Sequence, residues 1–235
     1  MKYMVFSDVH GKAEKLGSME SDLPDGEFAY ICLGDVCGKN VGKTKEVIDW
    51  LREKKAVTVY GDREQAALNP GYWNAEIGKA RTEKDRTGLL EAKRISEDLN
   101  ENLPPEYKEY LKGLVAAGKS IEFEGVVLVH NPLGELKRIR SKEDARKYLD
   151  STTARLTLAG HTHVPSVYEI KTDGEIVEMT FSENAVIDLS DKKSRFIVNP
   201  GSLSHMKYRG GQRDYAINSY GILDTDKETF EIRFL

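Results

Sequence analysis

Four times along this chain a short apolar run stops and hands over to an acid or a histidine. Met4-Val5-Phe6-Ser7 runs into Asp8-Val9-His10-Gly11, and Tyr30-Ile31-Cys32-Leu33 runs into Gly34-Asp35. Val126-Val127-Leu128-Val129 runs into His130, and Leu158-Ala159 into Gly160-His161-Thr162-His163. A strand that ends at a turn releases its next side chains into whatever cleft lies at the sheet edge. Two histidines two residues apart leave such a backbone on one side, so His161 and His163 reach one site or two adjacent ones. The repetition constrains the fold more than any single residue does. It asks for a sheet whose strands end together, with acids and imidazoles gathered at that edge.

The first third of the chain supplies such a sheet by alternation. Strands are expected at 2–6, 28–33 and 56–60, with helices at 12–22 and 42–55. Val47, Ile48 and Leu51 stand at helical spacing in the second helix. Strand–helix–strand order with short links argues a parallel sheet with helices against it. Residues 64–117 read as mostly helical, with an exposed helix over 83–99 and another over 106–116 that starts after Pro104-Pro105. Strands follow at 120–123 and 126–129, then a helix over 142–150 capped by Ser141, then the strand at 155–158 that delivers the double histidine. A hairpin around Asp173-Gly174 joins 166–170 to 175–181. Further strands are expected at 185–189, 195–198, 215–223 and 229–234. The second half then forms an antiparallel sheet facing the first. The fold class expected is α/β, a four-layer α/β/β/α sandwich of two mixed sheets with outer helices. Residues 1–235 form one domain, and the helical segment at about 64–117 borders the active site.

Composition excludes several alternatives. Charged residues make up 31% of the chain but the net charge is only -4, which demands neither a membrane nor a stable nucleic-acid partner. No apolar stretch approaches the roughly 20 residues needed to span a bilayer. The apolar start is too short for a signal peptide, since an acid follows at once. Cys32 and Cys37 do not make a disulfide framework; the first reads as a buried filler and the second as an inert thiol. A soluble, cytoplasmic protein is the expectation. Gly42-Lys43-Thr44 opens a helix as a phosphate-cradling loop would, but Gly38 stands one residue too close, so the spacing fails.

The residues that carry chemistry are Asp8, His10, Asp35, Asp62, His130, His161 and His163, which include four of the five histidines in the chain. His205, the fifth, reads as a structural histidine. Mixed carboxylate and imidazole donors suit divalent manganese, iron, zinc or nickel, with manganese favoured here. Seven such groups exceed what one ion uses and fit two ions sharing a bridging carboxylate, which is the arrangement for in-line displacement at phosphorus. Asp35 follows Gly34, where the backbone turns sharply, and is the candidate bridge. Asp8 alone could cap the helix that follows; His10 two residues on argues against that.

Asp8-x-His10, Gly34-Asp35, Gly61-Asp62, His130 and Gly160-His161-Thr162-His163, in this order, resemble the calcineurin-like metallophosphoesterases. The resemblance covers nearly the whole chain, including the tail Asn199-Pro200-Gly201-Ser202, and is closest to the small bacterial and archaeal phosphoesterases. It implies the four-layer sandwich with a dinuclear site at the strand ends. It also implies that Asp8, His10 and His163 hold one ion, that Asp35 bridges, and that Asp62, His130 and His161 hold the other. The tail either brings backbone amides near the site or is a structural turn.

One motif departs from the family. Where the family reads Gly-Asn-His, this chain reads Gly61-Asp62-Arg63. Histidine there is held to protonate the leaving group; arginine stays protonated at any working pH and cannot. It pins a phosphate oxygen instead, with a two-pronged hydrogen bond. The added aspartate charge and the added arginine charge cancel, so the site keeps its pull on an anion. The alternative is that Arg63 merely pairs with Asp62 or Glu64. Arg63 is the candidate catalytic residue, and Arg63 with Asn131 the candidate substrate contacts. Tyr72, Trp73 and Asn74 either stack on a base or pack, and packing is favoured. The expected function is hydrolysis of small phosphoesters, with phosphodiester or nucleotide-like substrates favoured. The alternatives are a phosphomonoesterase or protein phosphatase, and a binding scaffold without chemistry. A scaffold has no reason to keep seven donor side chains.

Overall fold

Side chains of strand β1 (Lys2–Phe6) alternate between two cores, and that alternation sets the layers. Tyr3 and Val5 point into a core shared by two sheets, with Ile31, Leu128, Leu158, Val198 and Phe230. Met4 and Phe6 point the other way, against Leu16, Met19, Val47, Ile48, Leu51, Leu99 and Leu111. The computed structural model of the protein describes residues 1–23, 26–132, 138–204 and 218–235.

Both sheets are six-stranded and mixed. The first runs β3 (Val57–Thr58), β2 (Ala29–Cys32), β1, β11 (Ser219–Asp224), β12 (Thr229–Phe234), β9 (Ala185–Asp188). The second runs β4 (Ser120–Phe123), β5 (Val126–Val129), β6 (Leu156–Ala159), β10 (Arg195–Asn199), β7 (Ser166–Ile170), β8 (Ile176–Thr180). In the first, β1, β2 and β3 are parallel; in the second, β5, β6 and β10 are parallel. The ends that carry the acids and histidines therefore lie at one edge of each sheet.

The second half does build a sheet facing the first, but that sheet is mixed and not antiparallel, and strands β9, β11 and β12 join the first sheet instead. Strand β11 pairs antiparallel with β1, Met4 opposite Ile222, and β12 and β9 follow it. All six residues of β11 are buried, so it needs cover on both faces and a neighbour on each edge. The open edge of β1 offers that place. Gly221 makes the neighbouring packing possible, since a Cβ there would meet the Phe230 ring at 2.1 Å. The expected strand over 215–223 starts at Ser219; residues 215–217 and His205 lie outside the described residues.

Helices α1 (Ala13–Ser21), α2 (Val41–Glu53), α5 (Glu83–Asn102) and α6 (Pro105–Ala116) cover the outer face of the first sheet. Helix α7 (Lys142–Asp150) covers the second, placing Ala145, Tyr148 and Leu149 against Val129, Ala159 and Ile197. That completes the four layers. Helix α5 is not merely exposed, because Ala92, Ile95, Ser96 and Leu99 form a buried face. Short helices α3 (Asp62–Leu68) and α4 (Asn74–Lys79) fill the stretch between β3 and α5. Asn40 caps α2 by accepting the Lys43 N–H at 3.0 Å, which gives the Gly42-Lys43-Thr44 stretch its structural role. No helix of the described residues is long and apolar enough to cross a membrane.

Candidate metal centre

The loops after β1, β2, β5 and β6 are locked to one another before any side chain is considered. Asp8 N–H donates to Gly34 O at 3.0 Å and His10 N–H to Asp35 O at 2.9 Å. Gly160 N–H donates to His130 O at 3.1 Å. Between the sheets, His161 N–H donates to Asp8 Oδ2 at 2.9 Å, and His130 Nδ1 lies 2.6 Å from Leu33 O. Gly160 permits the close approach, since a Cβ there would stand 2.1 Å from Ser7 Oγ.

This bracing forces an unusual backbone. Eight non-glycine residues have φ in the left-handed region among the described residues, and five of them are Asp8, His10, Asp35, His161 and His163. Left-handed residues of this kind cost roughly 1–3 kcal/mol each and persist only where their surroundings over-determine them. The strain concentrates on the side chains that the sequence singles out for chemistry.

All seven candidate donors converge. Asp8, His10 and His163 form one group with donor atoms within 4.8 Å of one another; Asp62, His130 and His161 form a second. Asp8, Asp35 and His130 form a third that joins them. His163 Nε2 lies 2.9 Å from Asp8 Oδ1, and His161 Nδ1 lies 3.1 Å from Asp62 Oδ2. Asp35 stands between: its Oδ2 is 3.7 Å from His10 Nε2 and its Oδ1 3.5 Å from His130 Nε2.

The donor set fits divalent cations. Asp8 Oδ2 is occupied by the Ser7 hydroxyl and the His161 N–H, while the buried Asp8 Oδ1 faces His163 Nε2 at 2.9 Å. His130 turns Nδ1 to a backbone carbonyl and leaves Nε2 buried with no hydrogen-bond partner. A backbone contact that fixes one ring nitrogen and bares the other is how ligating histidines are oriented. Orphaned polar atoms of this sort are rare in folded interiors.

Electrostatics agree. Burial lowers the pKa of His10 to about 3, with the His163 charge acting in the same sense against Asp35 and Asp8. Burial likewise lowers His161 to about 3, helped by His130 and Arg138. At His130 burial is outweighed by Asp35, Asp8 and Asp62, and the pKa rises to about 9. Asp62 is raised to about 6 by burial and by the Asp35 charge. At Asp8 and Asp35 burial is outweighed by neighbouring imidazoles, and both pKa values fall. Carboxylates crowded this closely hold a strong negative field, which cations relieve.

Arg63 takes neither of the pairings open to it in the sequence. Its guanidinium lies over the Trp73 ring, 5.6 Å from the centroid, and among the described residues no carboxylate is within 4 Å of it. Glu64 is unavailable to it. That fully buried carboxylate accepts four backbone N–H groups: Val36 and Cys37 on Oε1, Asp35 on Oε2, all at 2.9 Å, and Gly61 on Oε2 at 2.7 Å. Burial and the Asp35 charge raise its pKa, and the amides of Cys37 and Gly61 oppose the rise. Glu64 thus clasps the Asp35 loop to the start of α3. Gly61 must be glycine here, because a Cβ would meet Asp35 Oδ1 at 2.3 Å.

The tail motif braces the ligand loops. Asn199 Nδ2 donates to Gly160 O at 2.7 Å and Thr162 Oγ1 at 3.0 Å, and Ser202 Oγ donates to Asp8 O at 3.0 Å. Trp73 is packed, with its indole N–H on Ser96 Oγ at 3.0 Å, but Tyr72 donates its hydroxyl to Asp62 Oδ1 at 2.9 Å. Asn131 lies beside His130 with both amide atoms buried and, among the described residues, without a hydrogen-bond partner. Two residues at the site are not read from the sequence, Glu64 and Arg138, and Tyr72, expected to pack or to stack on a base, instead holds Asp62. Glu64 had a usable signal, an acid three positions after the helix-capping Gly61. Arg138 had none, standing in the basic run Lys137-Arg138-Ile139-Arg140.

Comparison with known proteins decides the family. The description of the calcineurin-like phosphoesterase superfamily domain matches residues 1–228. The chain belongs to that superfamily.

Calcineurin-like phosphoesterases hydrolyse phosphoesters with divalent metals, and the clustered aspartates and histidines here are groups that could hold such ions. The fold is shared with a metallophosphoesterase from Sphaerobacter thermophilus, 22% identical, TM-score 0.73, covering 100% of this chain and 88% of that one. A putative diadenosine tetraphosphatase is 12% identical with a TM-score of 0.44, covering 98% and 92%. A predicted phosphoesterase from Streptococcus pneumoniae is 14% identical with a TM-score of 0.42, covering 100% and 88%. The last two overlaps are too loose to support more than their own description. No curated protein matches the sequence.

Proposed function

We propose that this calcineurin-like phosphoesterase hydrolyses small phosphodiesters or nucleotide-like esters at a two-metal centre. The observation that carries the reading is the pair of donor groups joined by Asp35, whose two oxygens face His10 and His130 separately. Asp8, His10 and His163 would hold one ion, Asp62, His130 and His161 the other, and Asp35 would bridge. The mixture of carboxylate and imidazole donors suits divalent manganese, iron, zinc or nickel, and manganese is the ion proposed. Two bound divalent ions supply charge neutralisation at the phosphate oxygens and a nucleophilic water at neutral pH.

The chain's own residues do the rest. Arg63 carries a guanidinium with no acid partner among the described residues, stacked on Trp73 and facing the charges of Asp35 and His10. It anchors a non-bridging phosphate oxygen through its fork of N–H groups. It cannot release a proton, so the leaving group must depart without a protein acid at this position. That favours diesters with good leaving groups over monoesters. Asn131, with donor and acceptor both uncommitted, contacts the ester arm. The substrate is small, the setting cytoplasmic, and no stable nucleic-acid partner is needed.

The test is direct. Purified protein should carry or take up about two manganese ions per chain and release nitrophenol from bis-nitrophenyl phosphate faster than from nitrophenyl phosphate. Faster monoester turnover would overturn the diester preference. Protein that takes up no metal and turns over neither ester would be a scaffold.

A further inference from the structure

Each acid of the donor set has one oxygen tied by a hydrogen bond. The Ser7 hydroxyl and the His161 N–H hold Asp8 Oδ2 at 2.7 and 2.9 Å, and the Arg63 N–H holds Asp35 Oδ1 at 2.9 Å. Those donors are themselves ligand residues or their chain neighbours. Asp62 is tied from outside the ligand loops. Tyr72, ten residues on, donates its hydroxyl to Asp62 Oδ1 at 2.9 Å. The other oxygen, Oδ2, faces His161 Nδ1 at 3.1 Å.

Asp62 needs such a tie. The charges of Asp35 and Asp8 repel it. A carboxylate that can turn about its side-chain bonds relieves repulsion by swinging away from its neighbours. A hydroxyl fixed on Oδ1 opposes that swing and keeps Oδ2 among the donors. The tyrosine is itself well held. Its ring meets Trp73 edge-on, with centroids 4.9 Å apart and planes at 84°. Trp73 is buried, and its indole N–H donates to Ser96 Oγ at 3.0 Å. The Ser96 hydroxyl donates in turn to Ala92 O at 2.9 Å, within α5. The 3-10 turn Pro70–Trp73 thus carries the rigidity of a 20-residue helix to Asp62.

We propose that Tyr72 is a positioning residue: its hydroxyl holds Asp62 so that one oxygen, Oδ2, is offered to the ion that Asp62, His130 and His161 would share. The assignment rests on the two-metal reading and adds to it the contact that decides how firmly that ion is kept. Tyr72 touches neither substrate nor reacting atoms in this role and acts through Asp62.

Tyr72→Phe tests it, since the change removes the hydroxyl and keeps the ring on Trp73. Manganese content after equilibrium dialysis and the electron paramagnetic resonance of the same samples are read together. Loss of the outer partner of a metal ligand costs roughly tenfold to a hundredfold in metal affinity. At the lowest manganese concentration that fills both sites of wild type, Tyr72→Phe should therefore retain about one to one and a half ions per chain. Its spectrum should change from that of a coupled pair of ions towards that of an isolated ion. Raising free manganese roughly a hundredfold should bring the coupled pair back, because every ligand is still present. Tyr107→Phe is the control: that hydroxyl donates at 3.0 Å to Asp49, an acid outside the donor set, and its loss should leave both ions and the coupled spectrum in place. Two ions with a coupled spectrum in Tyr72→Phe at the lower concentration, or equal loss of both ions, overturns the assignment. Wild type that takes up no manganese, or a single ion, strikes the two-metal reading itself, and the assignment falls with it.

Discussion

Glu64→Gln tests how the site is held. The change keeps shape and volume and removes one acceptor oxygen. In either amide orientation the new NH2 group faces two backbone donors: Val36 and Cys37 on one side, Asp35 and Gly61 on the other. Two buried N–H groups are orphaned at about 1–3 kcal/mol each, so the loss is about 2–6 kcal/mol. Relief of the repulsion between Glu64 and Asp35 returns part of it, which favours the lower half of that range. For a chain of this size each kcal/mol moves the midpoint by about 2–4 °C. Thermal unfolding followed by circular dichroism in chelator should fall by roughly 5–12 °C. Manganese affinity should weaken as well, because the clasp sets the spacing of Asp35 and Asp62. Glu46→Gln is the control, an exposed acid paired with Lys43 at 2.8 Å, for which a change within about 0.5 kcal/mol is expected. If both substitutions shift the midpoint equally, Glu64 does not hold the loops together.

Three further outcomes follow from the same geometry. Gly61→Ala leaves every donor in place but drives a methyl into Asp35; manganese stoichiometry should drop below two per chain, read by metal analysis after dialysis. Arg63→Ala should raise KM roughly tenfold or more for a diester, since one charge-assisted contact is lost, and unaltered kinetics would remove Arg63 from the substrate site. Cys32 and Cys37 are buried with thiol pKa values pushed up by burial, so neither should react with a thiol reagent until the protein unfolds.

The donors were legible because their signal is local. Asp8, Asp35, His130 and His161 each stand one or two residues past an apolar run, and strand ends can be read from such runs. The helix starts at Asn40, Thr82 and Ser141 were equally local, each set by a side chain reaching an amide three residues on. Strand order was not local. That β11 joins β1 depends on a strand buried on both faces finding an open edge more than 200 residues away in sequence, which periodicity within β11 cannot express. The clasp of Glu64, the reach of Tyr72 to Asp62 and the meeting of Arg138 with His161 are of the same kind. Composition and spacing determined which side chains could do chemistry here and at which strand ends they stand. The packing of two sheets decided which of them face one another, because a side chain's neighbours come from contacts between distant segments and not from its own stretch of chain.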